Sequence, residues 1–136
     1  MPKVSIPSHY WFPENDICVA FTATPFVFNG YVKTMPLASR DMDYGSMECL
    51  ASGWGRINDR EPSEILLYAK LRLIPTSRCS RIHKKRMGKF ICTESAVTNV
   101  LQGDSGGPLV CKDTGDPNDR GYGVIVGVAC GLRDPT

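Results

Sequence analysis

The sequence predicts an antiparallel all-β fold, either a barrel or a sandwich. Its apolar segments are short, and they are rich in β-branched residues or alternate between apolar and polar positions, as strands do. Thirteen glycines and ten prolines interrupt these segments at short intervals. This punctuation favours hairpin-connected strands over units in which strands alternate with helices.

Three segments are predicted to be strands. Residues 17–21 form a short apolar run, bounded by Glu14-Asn15-Asp16 and Thr24-Pro25. Residues 66–73 alternate toward their end, and residues 123–129 are β-branched and bounded by glycine. Each run has the length of a single strand.

The segments between these strands are predicted to be polar. One short helix is predicted over residues 76–85, in a polar turn region around Cys79. Residues 56–62 and 112–121 carry turn-forming residues and are predicted to be exposed loops.

Composition limits the protein to a globular class. The chain has 136 residues, of which 42% are hydrophobic and 22% charged, enough for one ordinary domain. A net charge of +2 is too small to indicate nucleic acid or acidic membranes from the field of the whole chain. No apolar run of about 18 residues is present, so we expect no membrane span.

Cysteine use and the start of the sequence point in different directions. The start lacks a charged leader and an apolar h-region, yet six cysteines suit an oxidising compartment. Two interpretations stay open: a downstream part of a larger secreted protein, or a chain with reduced thiols inside a cell. Cys-x-x-Cys and His-x₃-His spacings are absent, so no zinc site is expected.

Residues 103–108 read Gly-Asp-Ser-Gly-Gly-Pro, the most informative stretch of the chain. A serine hydroxyl is a poor nucleophile, so a catalytic serine needs a base, a group that orients the base, and donors for an oxyanion. Glycines allow the backbone amides of Gly103 and Ser105 to converge on one point. A lone Gly-x-Ser-Gly would indicate a plain turn, but here the run continues as Pro-Leu-Val-Cys.

This longer run resembles the chymotrypsin/trypsin-like serine protease family. Further marks of the family follow in order: Gly-Trp-Gly at residues 53–55 after Cys49, Cys92 thirteen residues after Cys79 and thirteen before Ser105, and Cys111 six residues after Ser105. The resemblance covers nearly the whole chain. It implies a protein that requires no cofactor.

The resemblance implies a fold and its boundaries. We expect a trypsin-like double six-stranded β-barrel, with an incomplete first barrel over residues 1–30 and a connector over residues 31–48. Residues 49–136 would form most of the second barrel, without its last strand and helix. Open barrel edges would make such a chain prone to pairing or aggregation.

The resemblance also implies catalytic roles. Ser105 would be the nucleophile, and the amides of Gly103 and Ser105 would form the oxyanion hole. Asp16, in the Asn-Asp-Ile segment, matches the aspartate that orients the catalytic histidine. In isolation, Asn-Asp-Ile would be interpreted as a turn or cap before a strand.

Neither histidine of the sequence matches the family's catalytic base. The family places that histidine in an Ala-Ala-His-Cys segment well before the aspartate, and this sequence begins after that point. His9 matches a surface segment, and His83 lies in a basic stretch expected on the outer rim. Without the base, we expect turnover to fall by about 10⁴ to 10⁶.

Asp104 matches the family residue that pairs with an N-terminal amine released by activation cleavage. This sequence has no Ile-Val-Gly-Gly start to supply that amine. We therefore expect the Asp104 carboxylate to turn toward solvent or to bind a proton, as in a zymogen. On this view Asp104→Asn would leave stability unchanged or improved.

Four residues are expected to form the substrate pocket. Asn99 stands where trypsin-like members carry an aspartate, so a preference for Lys or Arg side chains is disfavoured. Gln102 would lie at the pocket mouth. Ala129 and Gly131 would form the opposite wall, although the register around Cys130 stays open.

Two disulfides are implied by the resemblance, Cys49–Cys111 and Cys79–Cys92. The usual partner of a cysteine near Cys130 is replaced by Leu101. Cys18 is interpreted as a buried thiol that packs as a small hydrophobe.

Residues 78–89 contain six Lys and Arg side chains. Such a cluster is typical of heparin, nucleic-acid or nuclear-localisation patches, but also of a solvated protease surface. The flanking cysteines favour the surface interpretation.

The sequence therefore predicts a secreted serine endopeptidase that acts on protein or peptide substrates. A protease inhibitor is a possible further partner, and no nucleic-acid or membrane partner is expected. The chain alone is expected to be inactive. The alternative is a non-catalytic homologue that binds a protein partner or inhibitor through the retained cleft. An incomplete gene model would also explain the missing histidine.

Overall fold

The structure of the chain is a computed structural model that describes residues 3–58, 60–95 and 100–130. The chain divides into two compact units, Met1–Met35 and Pro36–Thr136. Strands exceed helix by 30% to 6%, and the described residues include one short α-helix, so the predicted all-β class is confirmed. That helix is too short to cross a membrane.

The first unit contains a two-stranded antiparallel sheet. Strand β1 (Lys3–Ser5) pairs with β2 (Val19–Phe21), with Val4 opposite Ala20. The side chains of both strands are exposed within the structure. Strand β2 covers the second half of the apolar run predicted over residues 17–21.

The second unit is built on a five-stranded antiparallel sheet that curls into a half barrel. Its spatial order is β5-β4-β3-β6-β7, so the central strand β3 lies beside β6 although 54 residues separate their ends. The strands are β3 (Glu48–Gly53), β4 (Leu67–Ile74), β5 (Cys92–Glu94), β6 (Pro108–Cys111) and β7 (Val124–Val128).

Strand β4 shows why these segments form a one-sided sheet. Ala69, Leu71 and Leu73 are buried, whereas the intervening Lys70 and Arg72 are exposed. Successive side chains of a strand point to opposite faces, so the alternation places one apolar face against the core. The core cluster consists of Cys49, Ala51, Ala69, Leu71, Leu73, Leu109 and Cys111.

Both disulfides implied by the resemblance are present. Cys49 and Cys111 lie directly opposite each other on β3 and β6, with their Cα atoms 4.4 Å apart. Cys79 is bridged to Cys92 at the start of β5. Cys18 lies outside these bridges and is exposed, so its interpretation as a buried thiol is wrong. It precedes β2, whose side chains are also exposed.

The only α-helix of the described residues, α1, covers Thr76–Ile82 and is shorter than predicted. Pro75 precedes it, and His83 caps its C-terminus. Lys84 adopts a left-handed backbone conformation with φ of 51°, which ends the helical path before residue 85.

The loop over residues 112–121 differs from the prediction of a wholly exposed segment. Thr114 and Asp116 are buried, with 9% and 3% of their surfaces exposed. The Asp116 carboxylate accepts hydrogen bonds from Ser39 and from the backbone amide of Asn118. Buried polar groups that find hydrogen-bond partners can line a compact loop, and polarity alone does not reveal this.

Candidate active site

Ser105 lies in a tight turn just before β6, and its side chain is exposed. The turn is closed by two backbone hydrogen bonds. Asp104 N–H donates to the Leu101 carbonyl at 3.1 Å, and Gly107 N–H donates to the Asp104 carbonyl at 2.9 Å. The Cys49–Cys111 disulfide anchors β6 to β3, so this turn is joined to the best-buried part of the sheet.

Two glycines are required by the path of this turn. Gly103 has φ of +101°, a conformation that residues with a side chain rarely adopt. At Gly107, a Cβ atom would lie 2.8 Å from the Asp104 carbonyl oxygen and 2.9 Å from that of Ser52. The glycine-rich motif thus allows the chain to turn sharply against the end of β3.

The segment after Ser105 pairs with the end of β7. Gly106 N–H donates to the Ala129 carbonyl at 2.8 Å, and Ala129 N–H donates to the Gly107 carbonyl at 2.9 Å. Ala129, expected in the pocket wall, therefore lies beside the serine turn.

The backbone amides of the turn divide into two groups. Those of Asp104, Gly106 and Gly107 donate to carbonyl oxygens of the protein. The amides of Gly103 and Ser105 have no such acceptor among the described residues. Two N–H groups next to the serine hydroxyl are therefore available to an oxygen atom of a ligand.

The Asp104 carboxylate faces the end of β3, which corrects the expectation that it turns toward solvent. One carboxylate oxygen accepts a hydrogen bond from Gly55 N–H at 2.8 Å, and the other accepts one from Leu101 N–H at 3.0 Å. The side chain is half-buried against Gly53 and Gly55. Backbone donors hold the carboxylate in place, and residue types in a sequence do not reveal such donors.

A cavity of about 370 Å³ opens beside Ser105. Its apolar walls include Trp54 and Leu66, both more than half exposed. The sequence prediction did not assign these two side chains to the site. Trp54 stands in the Gly-Trp-Gly motif of the family resemblance, and no local pattern of the sequence indicates that its side chain lines a cavity. The lining residues are Ser52, Gly53, Trp54, Leu66, Gly103, Asp104, Ser105, Gly107 and Pro108.

Asp16 and His9 belong to the first unit, whereas Ser105 belongs to the second. Asp16 is half-buried and precedes β2. The neighbouring Asn15 has φ of 56°, and its side-chain amide donates to the His9 carbonyl at 2.7 Å. This bond sets the turn that leads into Asp16.

His83 lies at the end of α1, close to the Cys79–Cys92 disulfide. Its ring nitrogen and the two sulfur atoms are within 4.8 Å of one another. No other such grouping of three metal-binding side chains occurs in residues 3–58, 60–95 and 100–130. Both sulfur atoms are engaged in the disulfide, and a thiolate is what a metal ion would require.

The remaining predicted pocket residues are only partly described. Asn99 and Gly131 lie outside the described residues. Gln102 is exposed, and its carbonyl accepts a hydrogen bond from Arg56 N–H at 2.9 Å. This bond links the serine turn to the segment that follows Gly55.

An antiparallel half barrel, a cross-strand disulfide and a glycine-lined serine turn are together the features of a β-barrel serine protease. Comparison with known proteins agrees, since the family model described as Trypsin matches residues 2–135. The chain belongs to the trypsin family.

Two curated relatives are similar to most of the chain. Transmembrane protease serine 9 of Rattus norvegicus is 32% identical over 106 residues, which cover 73% of this chain and 10% of the relative. Fibrinolytic enzyme, isozyme C, of Lumbricus rubellus is 32% identical over 111 residues, 75% of this chain and 46% of the relative. The chain thus spans less than half the length of either relative.

Proposed function

We propose that Ser105 is the nucleophile of a serine-type endopeptidase. Membership of the trypsin family supports proteolysis as the general activity. The observation that carries the assignment is local: the exposed serine adjoins two backbone amides without an acceptor among the described residues, beside a cavity. An oxyanion formed at that point could accept hydrogen bonds from both amides, because neither amide has to give up an acceptor among the described residues.

In this proposal the Ser105 hydroxyl oxygen attacks the carbonyl carbon of a peptide bond while a base removes its proton. The amides of Gly103 and Ser105 stabilise the oxyanion of the tetrahedral intermediate. The intermediate collapses to an acyl-enzyme and releases the amine, which takes the proton from the protonated base. Water then hydrolyses the ester, and Ser105 regains its proton.

The base would be a histidine oriented by Asp16, and neither histidine of these 136 residues suits the role. His83 follows α1, which is tied by a disulfide to the edge strand β5. Three strand spacings, on the order of 14 Å, separate β5 from β6. His9 lies in the surface turn closed by Asn15. We therefore expect no turnover from the 136-residue chain on its own.

The pocket assignments remain proposals within this function. Asn99 carries no charge to pair with a Lys or Arg side chain, so substrates with uncharged side chains at the cleaved bond are favoured. Gln102, Ala129 and Gly131 would border this pocket. The two disulfides are typical of secreted proteins, and we propose an extracellular location with protein or peptide substrates. We also propose that residues 1–30 belong to a first barrel and residues 49–136 to a second. Residues 31–48 would connect the two.

A fluorophosphonate probe tests the proposal, because its reaction with serine requires an activated hydroxyl. The 136-residue chain should not be labelled. A chimera that joins it to the region of the Lumbricus rubellus enzyme preceding the matched residues should be labelled, and Ser105→Ala should abolish the labelling. Labelling of the 136-residue chain at Ser105 would show that another base serves. Labelling of the chimera at a different residue would overturn the assignment of Ser105.

The second candidate function is non-catalytic binding of a protein partner or inhibitor through the same cleft. It is favoured by one observation: Trp54 (59% exposed) and Leu66 (54% exposed) line the cleft beside Ser105 and offer an apolar surface to a partner. Titration with a macromolecular trypsin-family inhibitor separates the two hypotheses. Binding by a chimera that hydrolyses no substrate would favour the second.

A further inference from the structure

Positive charge is concentrated in one segment of the chain. Residues 76–93 contain six Lys and Arg and no Asp or Glu. The rest of the chain has ten Lys and Arg against fourteen Asp and Glu, a net charge of −4. The cluster is therefore a local feature on a chain that is otherwise acidic. We call residues 81–89 the basic loop. Its cations are Arg81, Lys84, Lys85, Arg86 and Lys89.

The basic loop is folded back on α1 and held there. The Cys79–Cys92 disulfide closes the segment, and Met87 is buried with 2% of its surface exposed. Ser80 anchors the loop twice: its hydroxyl accepts a hydrogen bond from Met87 N–H at 3.0 Å, and its carbonyl accepts one from Lys85 N–H at 3.2 Å. The loop therefore has a defined conformation before any partner binds.

The loop directs its charges to solvent. Arg81, Lys84, Lys85 and Arg86 are exposed. Glu94, the nearest acidic residue in sequence, forms a bidentate ion pair with Arg78. The two distances between guanidinium nitrogen and carboxylate oxygen are 3.0 and 3.2 Å. No ion pair of the described residues involves these four cations. A polyanion could approach them without displacing a carboxylate.

We propose that the basic loop binds a sulfated polysaccharide. Closely spaced cations on a rigid loop match a linear chain of sulfate groups, because binding releases the counterions condensed on such a chain. Arginine donates paired hydrogen bonds to tetrahedral oxyanions, and lysine adds point charge. The prior folding of the loop lowers the entropic cost of binding.

Two observations favour a sulfated polysaccharide over a nucleic acid. Proteins that hold single strands usually stack bases on exposed aromatic rings, whereas Phe90, half-buried, is the only Phe, Tyr or Trp in residues 76–93. The disulfide that closes the segment is also typical of oxidising compartments outside the cytosol. This proposal does not depend on the function of Ser105, which lies in a different segment of the second unit.

Heparin is the probe for the test, with the full 136-residue chain. The variant R81Q/K84Q/K85Q/R86Q removes four of the five exposed cations of the loop and keeps Lys89. The matched control K33Q/R60Q/K112Q/R120Q removes four exposed cations elsewhere, so the net charge is the same. We expect the loop variant to raise the Kd for heparin at least about tenfold. The slope of log Kd against log salt should fall by about 3. The control variant should change neither the Kd for heparin nor the salt slope by a comparable amount.

Equal losses in the two variants would overturn the proposal, as would unchanged binding by the loop variant. Thermal unfolding checks that each variant is folded. If the fourfold variant is not, the double variants R81Q/K84Q and K85Q/R86Q should each give about half the change in slope. Desulfated heparin should bind weakly to the wild type. Single-stranded DNA that binds as tightly as heparin at equal charge would also overturn the assignment to sulfated polysaccharide.

Discussion

The carboxylate of Asp116 holds Ser39 by two hydrogen bonds, from the Ser39 backbone amide at 2.8 Å and from its hydroxyl at 2.9 Å. Seventy-seven residues separate the two positions in sequence. Asn118 adds a bond from its side-chain amide to the Leu37 carbonyl at 2.9 Å. Hydrogen bonds from the loop after β6 therefore hold in place the segment that leads into the sheet of the second unit.

We expect Asp116→Asn to lower the melting temperature by several degrees. The new amide group would face at least one N–H donor where the carboxylate now accepts, and leaving a buried donor without an acceptor is costly. Asp113→Asn is the matched control, because Asp113 is exposed in the same loop. Circular dichroism melts of both variants make the comparison. Equal melting temperatures would show that the bond to Ser39 contributes nothing.

Stability should decrease at low pH. Hydrogen bonds from the Asn118 and Ser39 amides hold the pKa of Asp116 below its ordinary 3.8, and bonds from the Thr114, Gly121 and Gly123 amides do the same for the pKa of Asp119. The unfolded chain therefore binds protons at a higher pH than the folded chain does. The stabilisation is complete above about pH 4 and is lost as the pH falls through the lowered folded values.

Urea unfolding of the wild type and Asp116→Asn at about pH 6 and about pH 3 measures this effect. The difference in unfolding free energy between the two proteins should shrink at the lower pH. A difference that is constant, or larger at low pH, would contradict the cause given for the pKa of Asp116.

Asp104→Asn should destabilise the chain, by about 1 kcal/mol or more. The Asp104 carboxylate accepts from the amides of Gly55 and Leu101, and an asparagine side chain has only one oxygen for these two donors. This replaces the expectation, drawn from the sequence, of unchanged or improved stability. Urea unfolding at neutral pH decides between them. Ser105→Ala is the control, because its exposed hydroxyl donates to no described residue.

Gly55→Ala should also lower stability, by about 1 to 3 kcal/mol. A Cβ atom at this position would overlap the Asp104 carboxylate. Gly88→Ala is the matched control, because no atom lies within 4 Å of the Cβ it would add. Thermal melts should separate the two variants. A wild-type melting temperature for Gly55→Ala would mean that Asp104 can move away without cost.

Removal of the Cys79–Cys92 disulfide by a double alanine variant should cost about 3 kcal/mol. The bridge closes a loop between positions 13 residues apart, and its loss restores conformational freedom to the unfolded chain. Cys18→Ala is the control, since Cys18 is exposed and outside the bridges. Urea unfolding under non-reducing conditions measures both. A loss below about 1 kcal/mol would show that the loop stays ordered without its bridge.

Strands β4 and β7 of the second unit were predictable because their patterns are local, whereas β3, β5 and β6 were not predicted as individual strands. The alternation of buried Leu71 and Leu73 with exposed Arg72 is visible in sequence, as is the β-branched run that forms β7. The helix was predicted in place but too long, because the left-handed conformation of Lys84 carries no strong sequence signal. The burial of Asp116 was missed because its partner lies far away in sequence.

By itself the sequence determined the all-β class, the two disulfides through the family resemblance, and the position of the serine turn. These depend on local patterns and on the spacing of a few residues. The tertiary structure alone decided where Asp104 points, which amides of the turn lack an acceptor within the described residues, and how the basic loop is held by Ser80 and Met87. Each of these depends on groups brought together by folding, and a hydrogen bond depends on distance and angle, which sequence spacing does not specify.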